Sequence, residues 1–397
     1  MTSAPKLTVL GGSTPFTTAL FDAIAGSDYR LQPHELMLFG RDEAALDIVT
    51  RRAQHCLGPF GWVANNTTDM EEALRGAHYI VHQIRYGGLD GREFGERLSE
   101  RFGLPADETL GPAALRIAIR GASAVRQTAR AIAAHCPGAW TLNLTNPLSV
   151  TTAQFIAEGV TRCVGICELP ESTAMAVADA LGIEFARMRW EYVGLNHRGF
   201  LYNLSLDGQP LMGAIAQALP ARCLPGITVN DLDTFDAVPL KYFSMLRTSG
   251  PPVRRAQVLR DLRAELLREL AADPTVSPPS LWKRNVDWYS KAVVPILAAL
   301  ASPNRHSHVV NVMGADGVVI ETVATIGSNR VITVRGSLPS AAVQCWMGRF
   351  TAHEEAVLDV MLAPTEAAIR KALTLDPLVP SECVDPLTLA LLEDEPD

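Results

Sequence analysis

The first residues that could do chemistry form a short glycine turn near the start of the chain. An apolar run at residues 7–10 leads into Gly11, Gly12, Ser13 and Thr14, and a segment of helical period follows directly. Glycines let a backbone approach phosphate groups closely, and the beginning of a helix offers unpaired N–H donors. These four residues could therefore bind the pyrophosphate of a dinucleotide, although Gly-Gly after a strand also forms ordinary tight turns.

The end of the second predicted strand bears on which dinucleotide would bind. In dinucleotide-binding folds an acidic residue at this place holds the ribose hydroxyls, and an arginine accommodates a 2′-phosphate. This chain has Gly40 where the acid is expected, followed by Arg41 and Asp42. Arg41 favours NADP if it meets that phosphate, and Asp42 either reaches the ribose or caps the next helix. The sequence leaves NAD and NADP both open.

A sheet whose strands end at one edge is needed to position such a turn. Short apolar runs alternate with segments of helical period through the first 166 residues, which predicts parallel βαβ units and a doubly wound, Rossmann-like sheet. The predicted strands are residues 7–10, 36–39, 79–83, 141–144 and 163–165, and the predicted helices are residues 17–25, 42–56, 112–135 and 148–158.

The second half of the chain has a different pattern. Residues 188–211 indicate β-structure with a turn at Asp207 and Gly208. Further predicted elements are helices near residues 256–271 and 288–301, an extended stretch at 308–334 and a closing helix from 341 to about 373. We therefore predict an α/β fold with a nucleotide-binding domain at residues 1–190 and a mixed α+β domain for substrate binding and oligomerisation at residues 191–397.

Composition narrows the class of protein. Lys and Arg number 35 against 43 Asp and Glu, a net charge of −8, and the basic residues are scattered, so we expect no nucleic-acid partner. No signal peptide is recognisable, and no apolar run reaches the roughly 18 residues that span a bilayer. The seven cysteines are odd in number and widely spaced, which suits reduced thiols. We therefore expect a cytoplasmic protein without a membrane partner.

Four further segments resemble, in the same order, motifs of glycoside hydrolase family 4. They are residues 83–93 (QIRYGGLDGRE), 108–112 (ETLGP), 143–147 (NLTNP) and 165–170 (GICELP), the last followed by residues 194–199 (GLNHRG). Weaker similarities at residues 239–242, 254–258 and 377–379 extend the resemblance over essentially the whole chain. The resemblance implies a fold of the lactate/malate dehydrogenase-like superfamily, and an enzyme that cleaves glycosides with NAD and a divalent metal ion, usually manganese.

In the family that this chain resembles, Cys167 and His197 would hold the divalent ion. From the residues alone, a single cysteine after a strand is more often a buried apolar side chain, and a single histidine is more often structural. A thiolate and an imidazole together would leave positions on the ion open for sugar hydroxyls and water, as a catalytic metal requires. Sulfur and nitrogen donors also suit zinc or iron, so manganese rests on the resemblance alone.

Three residues receive catalytic roles from the same resemblance. Tyr242 matches the tyrosine of the family's P-x-x-Y motif and would be the base, for which its phenol needs a nearby cation or metal at neutral pH. Glu168 could protonate the leaving oxygen, and Glu108 stands where the family has an acid near the substrate hydroxyls. Ordinary alternatives are a packed aromatic side chain for Tyr242 and an acid favoured by a helix dipole for Glu108.

Arg92, Asn146 and Arg255 occupy positions that lie around the substrate in the family. Guanidinium groups form paired bonds to phosphate oxygens, so a phosphorylated or otherwise anionic glycoside is the expected substrate, with Arg85 as a further contributor. Exposed arginines on helices are common, and Arg255 is the least specific of these residues.

Several positions differ from the family pattern. Glu168 stands where the family's α-phosphoglycosidases tend to have Asp and its β-phosphoglycosidases Asn, so the anomer is open. Ala113 and Ala114 replace a Gly pair, which we expect to narrow the space for the ligand, and Gly95 replaces an Asp. These changes indicate a divergent member.

The resemblance implies oxidation at the sugar C3, removal of the C2 proton, elimination of the aglycone and addition of water, with the hydride returned to C3. Two alternatives remain: a NAD(P)-dependent sugar or hydroxy-acid dehydrogenase, and an inactive nucleotide-binding relative. As in the family, we expect a homodimer or homotetramer.

Overall fold

The computed structural model describes residues 5–29, 31, 34–219, 224, 226–247 and 254–393. Its first part contains β1 (Lys6–Leu10), α1 (Thr18–Ala25), β2 (Glu35–Phe39), α2 (Glu43–Leu57), β3 (Val63–Thr67), α3 (Met70–Leu74), β4 (Tyr79–His82), α4 (Gly88–Arg101), α5 (Gly111–His135), β5 (Trp140–Asn143), α6 (Leu148–Ala157), β6 (Cys163–Gly165) and α7 (Leu169–Leu181). The five predicted strands and four predicted helices of this part are confirmed. Strand β3 was not predicted because its sequence, VANNT, has no apolar run.

The six strands of the first part form a parallel sheet in the order β3-β2-β1-β4-β5-β6. This is the strand order of the Rossmann fold, with the order reversing between β1 and β4. The predicted α/β fold is therefore confirmed, and its carboxyl edge is where a ligand is expected.

The second part begins with an antiparallel hairpin and ends in three helices. It contains β7 (Met188–Leu195), β8 (Arg198–Leu206), β9 (Gln209–Pro210), α8 (Met212–Ala218), α9 (Val229–Phe235), β10 (Val238–Pro239), α10 (Arg255–Ala272), α11 (Val294–Ala301), β11 (His306–Met313), β12 (Val319–Gly327), β13 (Arg330–Thr333), α12 (Ala341–Leu362), α13 (Glu366–Leu375) and α14 (Ser381–Leu392). The prediction of a single closing helix was wrong. Helix α12 ends at Leu362 because Ala363 is extended and precedes Pro364, which cannot continue a helix. Thr365 then caps α13.

One sheet runs through both parts of the chain. Beyond β6 the order continues β11-β12-β7-β8-β10, with antiparallel pairing from the β6–β11 contact onward. The division into residues 1–190 and 191–397 stays a prediction, but the strands after residue 190 extend the sheet of the first part. Side chains from β6, β11, β12 and β7 can therefore be aligned by strand register.

Helices of the second part cover the first part. Leu259, Leu262 and Leu266 of α10 share a buried core with Leu20 of α1 and Leu46 of α2. Helices α12, α13 and α14 pack in the same way against α4 and α5. The carboxyl edge of the parallel strands thus faces residues from both parts. Across the described ranges, no helix combines the length and the apolar character needed to cross a membrane.

Candidate active site

Four neighbouring strands end at the edge where the predicted site residues lie. Gly11 follows β1, Arg85 follows β4 after two residues, Asn146 follows β5 and Cys167 follows β6. Because these strands are adjacent and parallel, their carboxyl ends bring the four segments to one edge. The motifs that the sequence separates by up to about 150 residues are thus brought together by the sheet.

The glycine turn is held tightly against the second strand. The N–H groups of Gly11 and Gly12 both donate to the Phe39 carbonyl, at 3.0 and 2.7 Å. Gly11 has a φ of +96°, and a Cβ there would come within 2.9 Å of the Gln83 carbonyl oxygen. A Cβ at Gly12 would lie 2.9 Å from the Leu38 Cβ. The turn therefore requires glycines, and donors for a pyrophosphate would have to come from residue 13 onward.

Steric contact with Ser13 also requires a glycine at position 40. A Cβ at Gly40 would lie 2.7 Å from the Cβ and Oγ of Ser13, so a carboxylate side chain does not fit there. Asp42 accepts from the Ala45 N–H at 3.1 Å as the cap of α2 and forms an ion pair with Arg263 at 2.6 Å. Its carboxylate is thus committed to the helix cap. Arg41 is exposed beside it.

A segment of the second part packs beside the glycine turn, against Phe16 and Gln83, and no pattern in the sequence indicated it. The Gln83 amide donates to Thr17 Oγ1 at 2.8 Å and accepts from the Tyr289 hydroxyl at 2.7 Å. The Arg284 guanidinium lies 4.6 Å from the Phe16 ring centre and 5.0 Å from that of Trp288. Its buried Nε has no hydrogen-bond partner among the described residues. No sequence motif predicts these contacts, because Arg284 and Tyr289 lie more than 200 residues after Phe16, Thr17 and Gln83.

Both predicted metal ligands adjoin a single asparagine, Asn196. His197 is in the two-residue turn between β7 and β8 with a φ of +65°, an uncommon conformation outside glycine. Asn196 precedes it, and the Asn196 side chain hydrogen-bonds to the Cys167 sulfur. The structure therefore brings together a thiol and an imidazole that are thirty residues apart in sequence.

Both groups have the chemical character of metal ligands. Burial lowers the pKa of His197 to about 4, and its buried Nδ1 has no hydrogen-bond partner among the described residues. Burial, with the charges of Glu321 and Glu168, raises the pKa of the Cys167 thiol well above its usual range. A divalent cation would remove both problems, because it binds neutral imidazole and deprotonates a thiol. The donor set therefore fits a metal ion.

The protein would supply few ligands to such an ion. The described part of the chain holds no cluster of three or more His, Cys, Asp or Glu side chains arranged to bind a metal. Two protein donors leave several coordination positions for substrate and water, which suits a catalytic site better than a structural one.

Tyr242 stacks directly on the imidazole. It lies in a short 3₁₀ helix, Lys241–Leu246, and its ring centre is 4.3 Å from that of His197, with the planes 8° apart. Burial raises the pKa of the Tyr242 phenol, the nearby Asp107, Cys167 and Glu168 raise it further, and Arg255 opposes them. The predicted base and predicted metal ligands are thus in one place.

Four arginines converge next to this group. Arg85 and Arg92 both form ion pairs with Glu108, the second at 2.5 Å. Burial and the positive charges of Arg92, Arg284 and Arg255 lower the pKa of Arg85 to about 9. Burial and the charges of Arg255 and Arg92 likewise lower the pKa of Arg284 to about 10. This arginine cluster destabilises its own positive charges, which favours an anion at its centre.

Glu96 joins the arginine cluster to α10. Arg92 Nε donates to Glu96 at 2.7 Å, and the Ala256 N–H at the beginning of α10 donates to the same carboxylate at 3.1 Å. This bond holds the start of α10, and with it the exposed Arg255, beside the cluster. Asn146 is partly exposed on the same edge, between β5 and α6.

The departures at residues 95 and 113 compensate each other. A Cβ added at Gly95 of α4 would come within 3.1 Å of the Ala113 Cβ on α5. Ala113 and Ala114 are buried. The Ala113 methyl group therefore packs where a side chain at residue 95 would lie, and the expectation that the two alanines narrow the ligand space stays a prediction.

Comparison with known proteins identifies the family of this chain. The model of the family 4 glycosyl hydrolases matches residues 6–183, and the model of the family's C-terminal domain matches residues 192–379. A Bacillus subtilis protein described as a probable 6-phospho-beta-glucosidase is 26% identical over 97% of this chain and 94% of its own length.

Two solved structures show the same fold. The Thermotoga maritima 6-phospho-beta glucosidase, solved with manganese, NAD+ and glucose-6-phosphate, superposes with a TM-score of 0.85 at 20% identity and 98% coverage of both chains. The malate dehydrogenase of Plasmodium falciparum superposes with a TM-score of 0.58 at 12% identity, covering 90% of this chain and 98% of its own. The chain belongs to family 4 of the glycosyl hydrolases.

Proposed function

We propose that this glycoside hydrolase cleaves a 6-phosphoglycoside by an elimination that depends on NAD and on a divalent metal ion, manganese as the first choice. The observation that carries the proposal is the meeting of Cys167, His197 and Tyr242 beside the arginine cluster. The relatives named above support the choice of a phosphorylated sugar. If the reaction ended at oxidation, Cys167, His197 and the stacked Tyr242 would have no role.

Charge supports a phosphate at the cluster. Arg85, Arg92, Arg255 and Arg284 contribute four positive charges, and the carboxylates of Glu96, Glu108 and Glu168 offset part of them, which leaves the cluster net positive. A phosphate monoester carries about −1.5 to −2 at neutral pH and would offset the remaining charge. Arg92, Arg255 and Asn146 would then hold the substrate together with Arg85, and Arg284 is added to the set predicted from sequence.

The cofactors fit the residues present. The N–H groups of Gly11 and Gly12 are taken by the Phe39 carbonyl, so Ser13 and Thr14, just before the following helix, would offer donors to the NAD pyrophosphate. Cys167 and His197 would hold the metal. When bound, NAD supplies reversible hydride transfer at the sugar C3, and the metal supplies polarisation of the oxygen there. With Asp42 committed to the helix cap, we propose no acidic contact to the ribose from this residue.

The remaining steps belong to the side chains of this protein. Tyr242 Oη removes the proton from C2, and Arg255 favours the phenolate because its charge lowers the pKa of Tyr242. Glu168 gives a proton to the leaving oxygen as the C1–O bond breaks. Water then adds across the C1–C2 double bond: its hydroxyl goes to C1 and its proton to Glu168, while C2 takes a proton from Tyr242 Oη, which exchanges with solvent. Glu108 orients Arg85 and Arg92 toward the substrate.

The proposal is tested by assaying α- and β-aryl glucosides, each with and without a 6-phosphate, in the presence of NAD and Mn²⁺. We expect cleavage of a phosphorylated substrate only, and loss of cleavage when either cofactor is removed. Arg92→Lys should raise KM about tenfold or more, because a paired guanidinium bond is lost. Arg97→Lys is the matched control, since Arg97 is an exposed arginine on the same helix.

Two results would contradict the proposal. Cleavage that continues undiminished without any nicotinamide would exclude the redox step. Accumulation of NADH without release of the aglycone would show that the reaction ends at oxidation, as in a sugar dehydrogenase.

We also propose that the enzyme works in the cytoplasm as a homodimer or homotetramer. Support for the compartment comes from Cys56, Cys136, Cys163, Cys167, Cys345 and Cys383, which are all free thiols; Cys223 lies outside the described residues. Support for assembly comes from large apolar side chains at the surface, including Leu338, Leu362 and Trp282, which are 81%, 70% and 66% exposed. Light scattering at several concentrations tests the oligomer, and a monomer throughout would contradict it.

A further inference from the structure

A row of residues crosses four strands beneath the two metal ligands. Gly165 of β6 lies opposite Asn311 of β11, Asn311 lies opposite Glu321 of β12, and Glu321 lies opposite Gly194 of β7. Asn311 and Glu321 are 0% and 1% exposed. The row therefore links the strand that leads to Cys167 with the strand that leads to His197.

Glu321 is the common acceptor of this row. The Tyr192 hydroxyl donates to its Oε2 at 2.5 Å, and the side-chain amides of Asn311 and Asn196 donate to its Oε1 at 2.8 and 3.4 Å. A carboxylate buried this completely is tolerated because each oxygen has a donor. Three donors from three different strands or turns thus meet on one side chain.

Asn196 carries the effect of Glu321 to both metal ligands. Its side chain donates to Glu321 and also hydrogen-bonds to the Cys167 sulfur, and its backbone leads directly into His197. Rotation of the Asn196 amide would therefore disturb the thiol through a hydrogen bond and the imidazole through the backbone.

The hairpin that bears His197 is shaped around Tyr192. A Cβ at Gly199 would overlap the Tyr192 hydroxyl, and a Cβ at Gly194 would lie 2.7 Å from it. The two glycines let the Tyr192 ring pass beneath the turn and reach Glu321. The position of the hairpin is therefore set by the same buried carboxylate.

We propose that Glu321 is a positioning residue for the metal site: it fixes the Asn196 amide, and through it the Cys167 sulfur and the His197 ring, in the arrangement that binds a divalent cation. Hydrogen-bonded groups behind metal ligands commonly set ligand orientation and affinity in this way. The inference rests on the proposed function, since it assumes that Cys167 and His197 are the ligands.

The test uses the whole protein with Glu321→Gln, which keeps the size of the side chain but replaces one acceptor by an amide. Binding of Mn²⁺ is measured from the free-ion electron paramagnetic resonance signal, and binding of Co²⁺ from the thiolate-to-cobalt absorption band. We expect Mn²⁺ affinity to fall about 10- to 100-fold and the cobalt band to weaken or shift, while NAD affinity is unchanged. Glu191→Gln is the control, because that carboxylate lies on the same hairpin but binds Asn203 and Ser337.

Each outcome decides a separate claim. Wild-type Mn²⁺ affinity and an unchanged cobalt band in a folded Glu321→Gln protein would overturn the positioning role. A wild-type protein that binds Mn²⁺ without any cobalt–thiolate band would instead contradict Cys167 as a ligand, and with it the proposed function. If Glu321→Gln does not fold, Tyr192→Phe removes the bond to Oε2 alone; a few-fold loss of Mn²⁺ affinity supports the role, and no loss overturns it.

Discussion

The glycine turn and the two proposed metal ligands, Cys167 and His197, are stabilised differently. The turn is contiguous in sequence. Its shape depends on two backbone hydrogen bonds to the Phe39 carbonyl and on the absence of a side chain at Gly11 and Gly12. Cys167 and His197 come from a strand end and a hairpin, and their common frame is the buried Glu321 row. A steric requirement thus defines one region, and a hydrogen-bond network across four strands defines the other.

This difference predicts that the two regions respond independently to mutation. Damage to the turn should weaken nucleotide binding while metal binding survives, and damage to the pair should do the reverse. The predictions below test that independence, beginning with the largest expected effect.

The largest effect is expected at the metal pair. Cys167→Ser and His197→Ala should each lower kcat/KM by about 10³-fold, since loss of a metal ion removes several kcal/mol of charge stabilisation. NAD affinity, measured by fluorescence titration, should be unchanged. Cys163→Ala is the matched control, because Cys163 is a buried thiol at the beginning of the same strand. Equal activity in Cys167→Ser and Cys163→Ala would contradict the assignment.

The next effect is a loss of stability at acid pH that arises from His82, a buried histidine at the end of β4. Burial lowers the pKa of His82 to about 4, although its ring hydrogen-bonds to Asn143 and Tyr86. The unfolded chain titrates near 6.5, so it binds more protons than the folded protein between these values. The stabilisation is complete above about pH 6.5 and is lost as the pH falls toward 4, by about 3 kcal/mol.

Urea unfolding between pH 4 and 8 measures this dependence. In His82→Gln the fall in the free energy of unfolding below pH 6.5 should be shallower than in the wild type. An identical slope in both proteins would show that other groups carry the acid sensitivity.

A smaller effect is expected at the glycine turn. Gly12→Ala forces a methyl group against Leu38, which should cost about 2 kcal/mol of stability and weaken NAD binding about tenfold, while Mn²⁺ affinity stays unchanged. Gly58→Ala is the control, because Gly58 has a φ of −52° and no atom within 4 Å of an added Cβ. Loss of Mn²⁺ affinity in Gly12→Ala would break the independence of the two regions.

The smallest effect separates the two roles considered for Asp42. Asp42→Ala should lower the free energy of unfolding by about 1 kcal/mol, because the cap of α2 is lost. Asp42→Asn keeps the cap, and NAD affinity should remain close to that of the wild type. A large loss of NAD affinity in Asp42→Asn would restore the ribose contact that the ion pair with Arg263 argues against.

The contrast also explains what the sequence could predict. The parallel strands, the fold class and the glycine turn depend on local apolar runs and on neighbouring residues, and the structure has them where they were expected. Strand β3 was missed because its sequence, VANNT, lacks an apolar run. The break between α12 and α13 was missed because the helix was predicted to continue through Pro364.

At the site, local motifs singled out Cys167, His197 and Tyr242, which the structure brings near one another, but not the residues that support them. Arg284 and Tyr289 contact Phe16 and Gln83, beside the glycine turn, from more than 200 residues away, and no spacing rule predicts these contacts. Glu321 is found only from strand register, because its neighbours Gly194 and Asn311 lie on separate strands. Long-range pairing is therefore the part of this site that sequence alone does not contain.

Solvent deuterium tests the central claim most directly. The enzyme is incubated with NAD, Mn²⁺ and a cleavable aryl 6-phosphoglycoside in D₂O, and the released sugar phosphate is examined by proton NMR. We predict deuterium at C2, because the C2 proton is removed by Tyr242 and replaced from solvent, and we predict loss of both cleavage and exchange in Tyr242→Phe. Cleavage at the normal rate with the C2 proton fully retained would contradict the account.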